Sequence, residues 1–312
     1  MTPTPAPTPA PTPAPAPPAI VVLGSTNMDL VAYVAKAPAG GETVTGREFR
    51  TVPGGKGANQ AVAAARAGGE VTMIGAVGND DFGTRLRSAL AHSGIDTDSL
   101  RTAEGPSGTA HIVVDDDGGN SIVVIPGANG LVTGLACGDE AVITSAYALL
   151  LQLELPLSAV TAGARAARLH GVRTILTPAP AAPMPPELLA ATDLLVPNEH
   201  EAAALTGRHD PLLAARALLD DVPEVVVTLG AAGSAYISRD APEPVFVPAV
   251  RSRPVVDTTG AGDTFVGALA VALGEGKPMP EAMRWASAAA ALSVQRHGAS
   301  TSMPYRQEID AL

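Results

Sequence analysis

Residues Asp257-Thr258-Thr259-Gly260-Ala261-Gly262-Asp263 set a lone carboxylate behind a glycine-rich turn and in front of an apolar run, 264–273. In that run Phe265, Val266, Leu269, Ala270 and Leu273 recur at the spacing of one helix face. The spacing predicts a helix whose N-terminus falls on Gly260, Ala261 and Gly262. Unpaired backbone N–H groups and the positive end of the helix dipole gather there and favour an anion. An aspartate at that point, Asp263, can take a proton from a hydroxyl while the amides stabilise charge on a group in transfer. The competing reading is structural, since Asp is a favoured N-cap residue.

A second glycine-rich turn, Pro53-Gly54-Gly55-Lys56-Gly57-Ala58-Asn59-Gln60, precedes an Ala-rich helix predicted to about Ala67. Glycines before a helix let backbone amides approach a ligand closely. The Gly-x4-Gly-Lys-Ser/Thr spacing of a Walker A loop is absent, so a generic turn competes with a ligand site. Lys56 and Asn59 are nevertheless placed to face whatever the glycines admit. Upstream, a buried strand over 19–23 ends at Gly24-Ser25-Thr26-Asn27-Met28-Asp29. Asn27 and Asp29, two residues apart, could present donor and acceptor groups to a polyol, or could belong to an Asx-type turn.

These groups need a frame. Strands are predicted over 71–77, 109–114 and 121–125, with a helix over 81–92 that closes at Gly94. Asp115-Asp116-Asp117-Gly118-Gly119-Asn120 reads as a solvated hairpin turn, because it lacks the EF-hand spacing and closing Glu. From Ala146 onward strand and helix alternate, the mark of a parallel sheet with crossovers. The strands are 149–153, ending at Glu154, then 173–176, 193–196 and 225–229; the helices are 156–170, 198–205 and 212–219. Ligands of open α/β sheets bind outside the carboxyl ends of the strands. Asn27, Asp29, Glu154, Asn198, Glu199, Gly230 and Asp263 all fall at such ends or at the helix start that follows.

Composition narrows the classes. A chain of 312 residues holds one large α/β domain or two smaller ones. Its net charge of −11 argues against a nucleic-acid or anionic-membrane binder. The single cysteine, Cys137, excludes an intramolecular disulfide framework and suits a reducing cytoplasm. Residues 1–18 alternate Pro with Ala and Thr and read as a disordered or polyproline-II tail outside the fold.

Together, and in this order, two motifs resemble the ribokinase-like (PfkB-type) carbohydrate kinases. They are Gly54-Gly55-Lys56-Gly57-Ala58-Asn59-Gln60-Ala61 and Asp257-Thr258-Thr259-Gly260-Ala261-Gly262-Asp263-Thr264-Phe265. The resemblance runs from about Ala19 to the C-terminus. Shorter stretches narrow it to the ribose-phosphorylating members: Gly24 to Asp29 as quoted, Gly41-Glu42-Thr43-Val44-Thr45-Gly46, Gly127-Ala128-Asn129, Leu151-Gln152-Leu153-Glu154, Pro197-Asn198-Glu199 and Arg306-Gln307-Glu308-Ile309-Asp310. Thr177 departs from the family, where Asn is commoner, and Ser107-Gly108-Thr109 varies the lid sequence.

The resemblance implies a three-layer α/β/α domain over 19–312, with a central, mostly parallel sheet and a small β-sheet lid from 31–52 and 109–125. It implies ATP-dependent phosphorylation of D-ribose at its 5-hydroxyl, with Asp263 as general base and the amides of Gly260, Ala261 and Gly262 as anion hole. Asn27, Asp29, Gly54, Gly55, Lys56, Asn59, Glu154 and Asp263 resemble the sugar-binding set. Asn198, Thr228, Gly230, Gly233 and Gly262 resemble the nucleotide-binding set. Glu201 would organise Mg²⁺, partly through water. A monovalent cation, usually K⁺, would be held by Asp257 and Thr259 with Val294, His297, Gly298 and Ser302. Lids of this kind commonly pair into a homodimer. Competing functions are a same-fold kinase for deoxyribose, a nucleoside or another sugar, and a non-catalytic sugar-binding regulator. An NAD-dependent oxidoreductase is disfavoured, because G-S-T-N-M-D stands where a dinucleotide site needs Gly-x-Gly-x-x-Gly.

Overall fold

The computed structural model describes residues 16–117, 119–251 and 254–312. The Pro-rich tail lies, through residue 15, outside the described residues. In chain order the strands are β1 (Ala19–Leu23), β2 (Asn27–Tyr33), β3 (Glu48–Gly54), β4 (Glu70–Gly78), β5 (Leu100–Ala103), β6 (Gly108–Val114), β7 (Asn120–Ile125), β8 (Ala148–Leu151), β9 (Arg173–Leu176), β10 (Leu194–Leu195), β11 (Glu224–Thr228), β12 (Ser234–Ser238) and β13 (Val245–Val247). The helices are α1 (Lys56–Arg66), α2 (Asp81–His92), α3 (Asp139–Thr144), α4 (Leu157–Leu169), α5 (Pro186–Ala190), α6 (Glu199–Thr206), α7 (Pro211–Leu218), α8 (Ala261–Gly274), α9 (Met279–Ser293) and α10 (Arg306–Asp310).

A 9-stranded sheet in the order β13-β12-β11-β10-β9-β8-β1-β4-β5 forms the middle layer. It is parallel from β5 to β11 and antiparallel at β12 and β13. Helices cover both faces, which is why the central strands read as continuous apolar runs. Strand side chains alternate between faces. Ile20 and Val22 of β1 therefore join the core beneath α1, α8 and α9, while Val21 and Leu23 join the one beneath α4 and α7. Aromatics are only 3% of the chain, so small residues fill the helix contacts. A Cβ on Gly267 of α8 would come within 2.6 Å of the Ala63 Cβ on α1. Those two helices therefore lie close together.

A separate 4-stranded sheet, ordered β3-β2-β6-β7, stands over the carboxyl end of β1. Asn27 and Asp29 lie in its strand β2, paired with β3 on one side and β6 on the other, and not in an Asx-type turn. This small sheet thus begins at Asn27, four residues ahead of residue 31. It is tied to the main body at Ser107. The Asp80 carboxylate, which caps α2 through Gly83 N (2.7 Å), also accepts from Ser107 N (2.9 Å) and Ser107 Oγ (2.6 Å). Edge strand β7 is exposed throughout, and Val123 is 63% exposed. Among the described residues no helix is long and apolar enough to cross a membrane.

Candidate active site

Strand β1 sits where the order of the main sheet reverses, between β4 and β8, and the crevice there is where such sheets take ligands. Three segments converge on it: the β1–β2 connection, the turn before α1, and the residues after β8. Glu154 follows β8 and accepts from Lys56 N (3.0 Å) and from the Ser25 hydroxyl. Its carboxylate so satisfies the first amide of α1, where the helix dipole favours negative charge. Gly55 precedes that helix at φ +93°, and a Cβ there would lie 2.8 Å from Asn27 N. Only glycine fits. The Asp29 carboxylate lies directly against Gly54 Cα, closing the same turn from the lid side. Asn27 is buried and its Oδ1 accepts from Asn129 Nδ2 (2.8 Å); Asn129 also accepts from Thr26 N (3.0 Å).

Gly260, at φ +74°, is the N-cap of α8, and Asp263 is the third residue of that helix. The capping reading of Asp263 therefore fails. Its carboxylate accepts instead from Asn59 Nδ2 on Oδ2 and from Gln60 Nε2 on Oδ1, both at 3.1 Å. The Gly260 and Gly262 amides find no acceptor among the described residues, whereas Ala261 N donates to Thr258 O (3.3 Å). A Cβ at Gly262 would meet nothing within 4 Å, so that side of the helix start is open.

The electrostatics are unusual for so small a volume. Burial pushes the Asp263 carboxyl up; the Lys56 ammonium and the Gln60 and Asn59 amides oppose this, and Glu154 adds to it. Burial, then the Glu154 and Asp263 carboxylates, push Asp29 up to about 7. Burial would depress Lys56, but Asp263, Glu154 and Glu201 outweigh it and hold the ammonium above its ordinary value. Glu201 is raised by burial. Its Oε2 accepts from Asn198 N (2.9 Å) while Asn198 Oδ1 accepts from Glu201 N (2.8 Å), a capping box at the start of α6.

Beside that box Thr228 bridges to Asn198, and Thr228 N donates to Pro197 O (3.0 Å). The turn that follows has Gly230 at φ +52° and Gly233 at φ +108°, closed by Leu229 N on Gly233 O (2.8 Å). Behind the start of α8 the Asp257 carboxylate accepts from Thr259 N and Gly298 N, both 2.9 Å, and its backbone N meets Val294 O (3.2 Å). Burial opposes its charge, but the Thr259 hydroxyl, the Gly298 and Thr259 amides and nearby His297 hold this carboxyl below its ordinary value. Thr259, Val294, His297 and Gly298 thus gather at Asp257. Ser302 bonds elsewhere, its hydroxyl donating to Ala299 O (2.8 Å).

A lidded α/β sheet with a buried carboxylate at an anion-ready helix start defines a small-molecule transferase. The chain belongs to the pfkB family of carbohydrate kinases, whose model matches residues 18–306. Within that family its similarity runs to ribokinases. It is 44% identical to a ribokinase of Bacillus subtilis (94% of this chain, 98% of that protein) and 41% identical to one of Schizosaccharomyces pombe (93% and 96%). A solved Arabidopsis thaliana ribokinase, complexed with ribose and ATP, superposes with a TM-score of 0.88 at 37% identity over 95% of this chain and 98% of its own. The expected ribokinase-like α/β fold with a smaller second sheet agrees with these neighbours.

Gln60, Gln152, Thr177, Ser25 and Asn129 hold the site together without having been candidates. Four of them lie inside the quoted motif stretches, but their side-chain bonds join residues far apart in the chain, and no local spacing reports them.

Proposed function

We propose that this chain transfers the γ-phosphoryl group of ATP to the 5-hydroxyl of D-ribose, giving ribose 5-phosphate. The observation that carries this reading is the Asp263 carboxylate, buried, held on both oxygens and set beside unpartnered amides at the start of α8. Asp263 takes the proton of the attacking hydroxyl, and the amides of Gly260 and Gly262, with Ala261, face the phosphoryl oxygens. Phosphoryl transfer asks little more of a protein than positioning and charge stabilisation. Asn27, Asp29, Gly54, Gly55, Lys56, Asn59 and Glu154 receive the sugar. Asn59 Oδ1 is buried with no partner, an acceptor that a sugar hydroxyl would satisfy. The nucleotide lies along Asn198, Thr228, Gly230 and Gly233.

Lys56 lies among the carboxylates of Asp263, Glu154 and Glu201, so a polyphosphate needs further positive charge nearby. No cluster of three or more His, Cys, Asp or Glu able to cage a metal occurs among the described residues. Such an arrangement suits Mg²⁺, which keeps much of its water and leans on phosphate oxygens; Glu201 would hold it through water. Mg²⁺ would supply positive charge against the negative charge of the nucleotide phosphates. The Asp257 carboxylate, with Thr259, Val294, His297 and Gly298 gathered about it, would hold K⁺, and Ser302, whose hydroxyl donates to Ala299 O, would be a more distant member of that set. The exposed apolar strand β7, with Phe49 of β3, is proposed to pair with a second copy of the lid. The exposed, unpaired Cys137 fits a cytoplasmic protein.

ATP consumption by the purified protein with Mg²⁺ and K⁺ tests this, comparing ribose, 2-deoxyribose, fructose 6-phosphate and adenosine. Ribose is the preferred acceptor, and Asp263→Asn lowers kcat by roughly 10²- to 10⁴-fold while ribose still binds. Preference for another acceptor would move the error to the sugar pocket; full turnover by Asp263→Asn would remove the base.

A further inference from the structure

We propose that Gln60 is a positioning residue for the phosphoryl transfer: clamped between Thr177 and Gln152, its side-chain amide sets the orientation of the Asp263 carboxylate. The proposal rests on Asp263 being the base. Gln60 is fully buried and Gln152 nearly so. Gln60 Nε2 donates to Asp263 Oδ1 and to Thr177 Oγ1, both at 3.1 Å, and Gln60 Oε1 accepts from Gln152 Nε2 at 2.7 Å. Both N–H groups and the carbonyl are thereby used. The opposite amide orientation would set a carbonyl against the carboxylate and an N–H against the Gln152 N–H, so the network fixes which end is which.

The terminal torsion of an aspartate is broad and roughly two-fold, so packing alone does not aim its lone pairs. Asn59 restrains Oδ2, but Asn59 also carries the buried, unpartnered Oδ1 proposed above to take a sugar hydroxyl. Gln60 has no such second duty. It restrains Oδ1 from a chain of amides anchored on two other strand ends, after β8 through Gln152 and after β9 through Thr177. A carboxylate held on both oxygens presents its remaining lone pairs in one direction, which is what a base needs at the moment the hydroxyl attacks. The same bond favours the charged form of Asp263, against the burial that opposes it.

Steady-state kinetics across pH on Gln60→Met, alone and combined with Asp263→Asn, test the proposal, with folding followed by thermal unfolding. Gln60→Met is expected to lower kcat roughly ten- to a hundred-fold and leave the ribose KM within about threefold. It is also expected to move the acid limb of kcat to higher pH, and to have no further effect once Asp263 is Asn. Thr177→Val, which strips one acceptor from the Gln60 amide at nearly constant volume, should give a smaller change of the same kind and carries the test should Gln60→Met not fold. An unchanged kcat, a fall in kcat with an unmoved acid limb, or an equal fall in the Asp263→Asn background would overturn it. If Gln60→Met is inert while Asp263→Asn is dead, positioning fails and the base stands. If Asp263→Asn keeps turnover, both fall.

Discussion

Asp29→Asn probes the sugar pocket where its electrostatics are most exposed to measurement. Burial and the neighbouring Glu154 and Asp263 carboxylates raise Asp29 from 3.8 to about 7. A carboxylate that must accept from sugar hydroxyls does so best when ionised, and near pH 7 that state is only half populated. Ionised fraction falls about tenfold between about pH 8 and about pH 6 for such a group, so the wild-type ribose KM should rise about tenfold over that interval. The Asn variant should lose this dependence. At about pH 8 its KM should be roughly ten- to a hundred-fold above wild type, the loss expected of a hydrogen bond to a charged group, with the ATP KM unchanged.

Stability carries the same signature with a definite sign. Between about pH 4 and pH 7 the folded protein keeps a proton on Asp29 that the unfolded chain has released, so stability falls as pH rises. The distance from 3.8 to about 7, at 1.36 kcal/mol per pH unit, sets a ceiling of about 4 kcal/mol on that loss. Ligand-free Asp29→Asn should therefore unfold at a higher temperature than wild type at about pH 8, with the difference shrinking toward about pH 4. Ribose KM from coupled ATP consumption and melting curves at the same pH values give both readings. A wild-type KM flat from about pH 6 to pH 8, or an Asn variant with the same slope, would refute the reasoning.

Gly260→Ala should cost about 1–2 kcal/mol for a side chain at φ +74° and press its Cβ to 3.0 Å from Ala299 Cα, lowering both Tm and kcat while ribose affinity holds. Unchanged kcat would remove the helix start from the reaction. Replacing K⁺ by Na⁺ should reduce kcat, and Asp257→Ala should erase the difference between the two ions; indifference of the wild type to the swap would sink the cation site. Val123→Lys on the exposed strand β7 should shift the molar mass by light scattering from dimer to monomer with the monomer still folded. A mass unaffected by the charge would leave the lid without its proposed partner.

The sequence was most informative where a single physical constraint dominates. The β1 run is bounded by Pro18 and Gly24, and its five residues point to helices on both sides, so its limits could be read directly. The limits of α2 follow from its amphipathic pattern and from Gly94 beyond its end. Strand β13 is three residues long and exposes Val245 and Phe246, so it lacks the unbroken burial of an inner strand such as β8; β12 beside it is mostly buried but returns antiparallel, and Ser234-Ala235-Tyr236-Ile237-Ser238 is not a continuous apolar run. Helix α9 begins behind Pro278 without a side-chain cap and is Ala-rich, so only Pro280 and Glu281 mark its start and it shows no sharp polar face. Asn27 and Asp29 favoured a turn by composition, yet β2 pairs on both sides, and that pairing is a tertiary fact.

Asp263 shows why the site was only half legible. Third in its helix, it could fold back onto the backbone of its own N-terminus or reach outward, and G-x-G-D is compatible with both. What selects the outward state is α1, which offers Asn59 and Gln60 from more than 200 positions away. That reach depends on how closely the two helices lie, and Gly267, one turn beyond Asp263, has no room for a Cβ against Ala63 and Gln60 O. The small residues of the α1–α8 contact, which look in the sequence like featureless filler, are therefore what bring the amides within 3.1 Å of the carboxylate. The two glycine motifs supply the open helix starts. The alanine and glycine behind them set the distance at which those starts can share one aspartate.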